Sequence, residues 1–271
     1  MTRQPESGVS LLNVLVVVAA ASGLVQVMLA GQQSAVSDLS RSQDVAQAEA
    51  LARGGIASVA VALRRDMLDA PDVDHLKEDW AAAVQQKVTF DFGSFEVEVD
   101  DARGRFNLNS LTAGAFLEQR IFDGLLAALD LPETLSAQII RSIQDEGALR
   151  DTDELLRRGF SVADLTRLRP HVAALGTPGP INLNSATEPV LSAMFANPAA
   201  AQALVARRMA TGQLTKQDLN ALGLVPPTSG GFTSDAFDVV LHAEVGSARR
   251  TLKRRILRDA DAGLLNILPI D

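Results

Sequence analysis

The hydrophobic positions of this chain open as an unbroken block. Between Ser7 and Ser37 no side chain is ionisable, and residues 9–29 read VSLLNVLVVVAAASGLVQVML. At about 1.5 Å per residue, a helix over this run is ~30 Å long, one bilayer core. The pattern therefore predicts a membrane-anchoring helix. Beyond it the chain turns half polar without losing the helical period. From Gln32 to Leu68 there is no proline, alanine is frequent, and Val36, Leu39, Ala46, Ala50, Val59 and Leu63 recur at near-helical spacings, with Arg41, Asp44, Gln47 and Arg53 between them. A continuation of the helix is predicted, weakened at Gly54-Gly55 and stopped by Pro71.

Alternation then replaces the helical period. Val88, Phe90 and Phe92 alternate with polar residues, Gly93-Ser94 reads as a two-residue turn, and Phe95, Val97 and Val99 resume the pattern, which predicts a hairpin. In GRFNLNSL, residues 104–111, Phe106 and Leu108 extend the alternation. Trp80 stands between helix and hairpin and is expected to pack one on the other. Residues 112–228 are helical in pattern with short loops. Within them INLNSATEPVLSAMF, residues 181–195, echoes FNLNSL; Asn184 or Ser185 is a candidate cap for the following helix, and Pro189 fits its first turn. PPTSGG, residues 226–231, reads as a linker. Phe237, Val239, Leu241, Ala243 and Val245 then alternate as a strand before a turn at residues 246–248.

Composition narrows the partners. The 271 residues carry a net charge of −8, which argues against general nucleic-acid binding, and no cysteine, which removes disulfides and thiolate metal sites. Around the apolar run, three arrangements compete. A secretory signal peptide has a basic leader and a small-residue cleavage site after the apolar core, and Ala19 to Gly23 offer small residues. A plain anchor gives no reason for Gly8 directly before Val9. The third arrangement cuts between Gly8 and Val9 and keeps the helix.

That third arrangement resembles a type IV prepilin or pseudopilin signal. The resemblance implies that prepilin peptidase cuts between Gly8 and Val9 and that Val9 is then N-methylated. The fifth mature residue in that family is usually glutamate; here it is Asn13. This departure narrows the resemblance to the minor pseudopilin component K of type II secretion, which typically lacks that glutamate. Further family elements have counterparts in Arg65-Asp66, Glu78 with Trp80, GRFNLN, and Asn182 to Ala186. The resemblance implies an α+β fold, a pilin-like long N-terminal helix packed on an antiparallel sheet with a large all-helical insertion. The expected organisation is a leader (1–8), a transmembrane helix (9–30), its periplasmic continuation (31–70), a β domain (71–111 and 232–271) and an inserted helical domain with its linker (112–231). It also implies a single-pass inner-membrane protein with a periplasmic head. Its expected partners are minor pseudopilins I and J, other pseudopilins, prepilin peptidase, the secretin and secreted substrates. A carboxylate in hydrocarbon is costly unless paired. Asn13 is thus expected to mark a subunit with nothing beyond it in the filament, against a simpler role bonding a neighbouring helix.

Calcium binding is described for the family, but the tryptophan–aspartate and glycine–alanine–glutamate–aspartate elements have no counterpart here. The comparable stretch, residues 142–156, reads SIQDEGALRDTDELL. Asp145, Glu146, Asp151 and Asp153 are the candidate oxygen ligands, for a cation that takes six to eight; the plainer reading is a solvated helix–loop–helix edge capped by Asp151 or Thr152. A rival reading from another class is a membrane-anchored helix–hairpin–helix DNA-uptake module, suggested by INLNSATEPVL followed by Ala203 to Arg208, Gly212, Leu219 and Gly223. The glycine–hydrophobic–glycine hairpin is replaced by FANPAAAQAL, residues 195–204. Arg249, Arg250, Lys253, Arg254, Arg255 and Arg258 form a basic run suited to acidic partners, lipid head groups or an exposed edge strand. His75, His171 and His242 are far apart, and no nucleophile elbow, Walker loop or dinucleotide fingerprint occurs, so no enzyme is expected.

Overall fold

The structure is a computed structural model that describes residues 7–82, 87–112, 116–225, 227–260 and 262–270, with side chains from Asn13 onward. Residues 1–6 of the expected leader and Pro226 of the expected linker lie outside the described residues. The backbone is already helical at Gly8 and Val9, within α1 (Ser7–Asp69).

Along α1 two regimes follow one another. Val14 to Leu29 are exposed, an apolar surface that none of the described residues covers. Higher up, Ala48, Ala52, Ile56, Val59, Leu63 and Met67 are buried, a stripe at spacings of three and four that lies on the sheet. Pro71 disfavours helical geometry in the residue before it, and the last helical bond runs from Ala70 N to Asp66 O. The two glycines do not interrupt the helix, and they differ. A Cβ on Gly55 would lie 2.2 Å from Leu241 Cδ1, whereas one on Gly54 meets nothing within 4 Å. Gly54→Ala is therefore expected to stabilise the head by up to ~1 kcal/mol through helix propensity. Gly55→Ala is expected to cost about 1–3 kcal/mol, because Leu241 is fully buried and has nowhere to go. Urea denaturation of both variants checks the opposite signs.

After the short α2 (Asp79–Ala82), β1 (Val88–Phe90) and β2 (Gly93–Asp101) pair in the register Val88↔Phe95, Thr89↔Ser94, Phe90↔Gly93. The hairpin turn is thus Asp91-Phe92, and the expected turn at Gly93-Ser94 is corrected. Gly93 has no side chain because a Cβ there would stand 2.4 Å from the Glu244 carbonyl oxygen on the neighbouring strand. GRFNLNSL is likewise not a continuous strand. A 3₁₀ turn (Ala102–Gly104) leads to a two-residue β3 (Phe106–Asn107) and a second 3₁₀ turn (Leu108–Thr112), because the asparagine side chains take up backbone groups of distant loops.

The chain then leaves the sheet for α3 (Phe116–Ala128), α4 (Thr134–Glu146), α5 (Glu154–Arg157), α6 (Val162–Leu168), β4 (Val172–Ala173), β5 (Ile181–Asn182), α7 (Glu188–Phe195), α8 (Pro198–Thr211), α9 (Lys216–Ala221) and β6 (Gly230–Gly231). It returns as β7 (Ala236–Val245), β8 (Ala248–Asp259) and β9 (Leu264–Pro269). The sheet order is β1-β2-β7-β8-β9, antiparallel throughout. All of Phe237, Val239, Leu241, Ala243 and Val245 are buried, and Trp80 meets Phe237 edge to face at 5.0 Å, packing helix and sheet together. Gly230-Gly231 of the expected linker is itself pinned, pairing in parallel with Ile181-Asn182.

The helical segment has its own core and an internal echo. Phe106 to Val172 and Ile181 to Gly230 each run from an Asn-Leu-Asn strand through a set of short helices, α3 to α6 in the first and α7 to α9 in the second, back to a parallel strand beside the first. Within each, ELLRRGF (residues 154–160) and DLNALGL (residues 218–224) close alike: Phe160 N donates to Leu155 O at 3.0 Å and Leu224 N to Leu219 O at 2.9 Å, with Gly159 and Gly223 at φ 87° and 68°. Both begin with side-chain bonds to backbone N–H groups. Asp151 accepts from Glu154 N while Glu154 accepts from Arg150 N, one residue before Asp151; Thr215 and Asp218 form a true capping box, each accepting from the other's backbone N–H. These bonds, with Arg158 and Arg207 respectively, hold the Glu154 and Asp218 carboxyls below their usual ranges.

Candidate functional site

The family-like residues converge where the sheet hands over to the helical segment. Asp101, at the end of β2, is 1% exposed and stands at the centre. Its Oδ1 accepts from Arg103 N at 2.8 Å and Ser234 Oγ at 2.5 Å; its Oδ2 accepts from Asn182 Nδ2 at 2.7 Å and Ser185 Oγ at 2.5 Å. Four donors on one carboxylate join the exit from β2, the start of the second helical unit and the entry to β7. Gly104 allows the approach, since a Cβ there would sit 2.6 Å from Ser185 Oγ and 2.9 Å from the Ser185 carbonyl carbon.

A second polar knot adjoins the first. Ser234 N donates to Asp74 Oδ2 at 2.7 Å, and Arg258 donates to Asp74 at 2.5 Å and Asp66 at 2.6 Å. The same guanidinium lies 4.4 Å from the Phe237 ring centroid, a cation–π contact out of water. Glu78 accepts from Trp80 Nε1 at 2.6 Å and from His75 N at 2.9 Å. Carboxylate oxygens of Asp66, Asp74 and Glu78 lie within 4.8 Å of one another. Burial, partly offset by Arg258 and the Ser234 N–H, pushes the Asp74 carboxyl up to about 7, and burial raises Glu78 as well. These oxygens are of the type a hard cation takes, but Arg258 already stands among them. A groove of about 480 Å³, lined by Met67, Asp74, Arg103, Asp235 and Arg258 among others, opens beside the knot.

The two Asn-Leu-Asn segments act as matching clasps. Asn107 and Asn182 each accept from the backbone N–H two residues on, while Asn109 and Asn184 each accept from a distant one, Leu149 N at 2.8 Å and Leu214 N at 2.6 Å. Neither Asn184 nor Ser185 caps α7, contrary to expectation. Thr187 holds the cap position, and its hydroxyl meets His171 Nδ1 at 2.7 Å. Asn184 and Ser185 are instead committed to Leu214 and Asp101.

Of the residues singled out in the sequence, Asp66, Glu78, Trp80, Asn182 and Ser185 come together, while Arg65 points away and pairs with Asp69. Three of the four calcium candidates have partners of their own. Asp151 caps α5 and pairs with Arg157, Asp153 pairs with Arg169 at 2.5 Å, and Glu146 lies 3.8 Å from Arg158. Asp145 lines a surface groove beside Glu146. Arg207 pairs with Asp218, and Arg208 donates to the Leu183 and Ala186 carbonyls, so both of those cations serve the fold. The basic run divides. Arg255 and Arg258 are buried, and β8 is covered by β9 from Arg254 onward, which corrects the expected edge strand for that half. Asp74, Asp101, Ser234 and Arg258 carry no motif signal; the one hint was that Arg258 keeps the phase of Leu252 and Ile256 along the strand.

Comparison with known proteins finds relatives of this junction. The family model described as type II secretion system (T2SS), protein K, matches residues 181–239, from the second Asn-Leu-Asn segment into β7. Type II secretion system protein K of Pseudomonas aeruginosa is 29% identical over 312 aligned residues, covering 99% of this chain and 93% of its own. The protein of that name from Klebsiella pneumoniae is 29% identical over 153 residues, 54% of this chain and 45% of its own. The fold is similar to a chain in the crystal structure of the GspK-GspI-GspJ complex from the enterotoxigenic Escherichia coli type 2 secretion system, with a TM-score of 0.65 and 19% identity, covering 83% of this chain and 95% of that one. The segment matched by the family model is the one that supplies Asn182, Ser185 and Ser234 to the junction, and similarity to type II secretion system protein K extends from there over nearly the whole sequence.

Proposed function

We propose that this minor pseudopilin caps the tip of the pseudopilus and supports the export of folded proteins from the periplasm across the outer membrane. Prepilin peptidase releases residues 1–8, Val9 is N-methylated, and residues 9–30 hold the subunit in the inner membrane with its head in the periplasm until assembly. Minor pseudopilins I and J are its partners in the tip, a reading supported by the similarity of the fold to a chain of the GspK-GspI-GspJ complex. The observation that carries the proposal is the division of α1: its first half is apolar and uncovered, while its second half is built into the head. A helix exposed in this way is half of a contact whose other half lies outside the chain. Asn13, exposed on that helix, offers no charge to pair with a neighbour's amine, as suits a subunit that ends a filament. The role is structural, and its bulk comes from the helices between β2 and β7.

Mass spectrometry of the membrane-extracted protein, with and without prepilin peptidase, tests the scheme. A mature chain beginning at Val9 only when the peptidase is present is the expected result. Cleavage near Ala30, or no dependence on the peptidase, refutes it.

A further inference from the structure

The sheet ends unevenly beside β8. β9 pairs with β8 only over Arg254↔Pro269 to Asp259↔Leu264, and the last bond on that side is Ile270 N to Lys253 O at 3.3 Å. Among the described residues no strand pairs with this side of β8 before Lys253. The tight turn joining Val245 and Ala248 fixes which backbone groups are free. Residues in alternate pairs point their N–H and C=O away from β7, and the outward bond at Lys253 O sets the phase: Arg249 and Thr251 present both outward groups, and Lys253 its N–H. Among the described residues this edge lies in line with β9.

Its charge is lopsided in a chain of net charge −8. Glu244 is shared between Lys87 at 3.5 Å and Arg249 at 3.0 Å, and Glu49 between Arg53 at 3.1 Å and Arg250 at 3.7 Å. Lys253 is exposed beside them. Cations on an edge ordinarily discourage strand addition by like neighbours. The same cations select an incoming strand of opposite charge, with backbone bonds giving affinity and side-chain pairing giving identity.

We propose that the open edge of β8 from Arg249 to Lys253 receives an acidic extended segment of a partner protein as an added strand. The inference does not depend on the tip position. The test uses the full chain in detergent micelles with an environment-sensitive fluorophore on Ser247→Cys, unique because the protein has no cysteine. The probe is a short peptide alternating glutamate with threonine and valine. A saturable signal is expected, weakened at least about tenfold by Arg249→Glu with Lys253→Glu, and by Thr251→Pro, which removes one outward donor and leaves the β7 ladder intact. The same peptide with N-methylated backbone amides should bind at least about tenfold more weakly. Equal binding of the methylated peptide reduces the site to simple charge attraction and overturns the proposal. So does a response to phosphatidylglycerol nanodiscs without one to the peptide, or indifference to charge reversal.

Discussion

Asp101→Ala is expected to cost the head about 3–5 kcal/mol, and to do so by loosening the helical segment from the sheet. The carboxylate accepts four hydrogen bonds and is almost wholly inaccessible to water. Removing it strands the Arg103 N–H, the Asn182 amide and two serine hydroxyls, and each buried donor left alone costs about 1–3 kcal/mol. The hydroxyls can turn to other acceptors, Ser234 toward Ala236 O and Ser185 toward Asn182 O, so the total falls short of four full penalties. Asp101→Asn retains an acceptor and should cost less. Urea denaturation of the soluble head measures the loss. Amide hydrogen exchange identifies its location, since protection should fall first at Leu183 and Ile181, where the second helical unit is pinned to the junction. A loss below ~1 kcal/mol, or a uniform loss of protection, contradicts this account.

Arg258→Met should be comparably damaging at neutral pH and much milder in acid. The arginine is the cation shared by Asp66 and Asp74, with Glu78 close by, and removing one partner of a buried ion pair costs about 3–5 kcal/mol. The pH dependence follows from the direction of the Asp74 and Glu78 shifts. Asp74 titrates near 3.8 when unfolded and near 7 in the fold, so between those values the folded chain binds more protons and its stability falls as pH rises. This contribution is fully present below the unfolded value and is lost as pH passes about 7. Without the guanidinium the carboxyls favour their neutral forms still more, so the deficit of the variant should widen between pH 5 and pH 8. Melting curves at those two pH values check this, and equal deficits count against the shared-charge reading.

Much of the architecture was legible because it repeats a period. The alternation of β7 states its burial residue by residue and folds as its pattern indicates, whereas along α1 only Val59 and Leu63 of the expected stripe are buried; Val36, Leu39, Ala46 and Ala50 are exposed, and the buried face runs instead through Ala48, Ala52, Ile56 and Met67. The junction was legible only in pieces. Asp66, Glu78, Trp80 and Asn182 were visible as fragments of motif, but what joins them is Asp101 to Ser234 across 133 positions and Arg258 to Asp66 across 192. No local pattern encodes a contact at that separation. Gly93 misled for a related reason. Glycine beside serine reads as a turn, yet here it answers to a carbonyl oxygen on another strand, brought near only when the sheet has formed. Arg258 was concealed by its company, a charged run in which the exposed and buried cations are the same residue type.

The bond between Asp101 and Ser234 has a consequence for how this protein varies. It joins the point where the chain departs from the sheet to the point where it comes back, so the strands on either side experience a fixed doorway whatever lies behind it. Extending a closed loop costs little, about 0.6 kcal/mol for each doubling of its length. Helices can therefore be lengthened, shortened or exchanged behind that doorway while β2 and β7 keep their pairing. The head of such a subunit is free to change size and shape without renegotiating the part of it that joins α1.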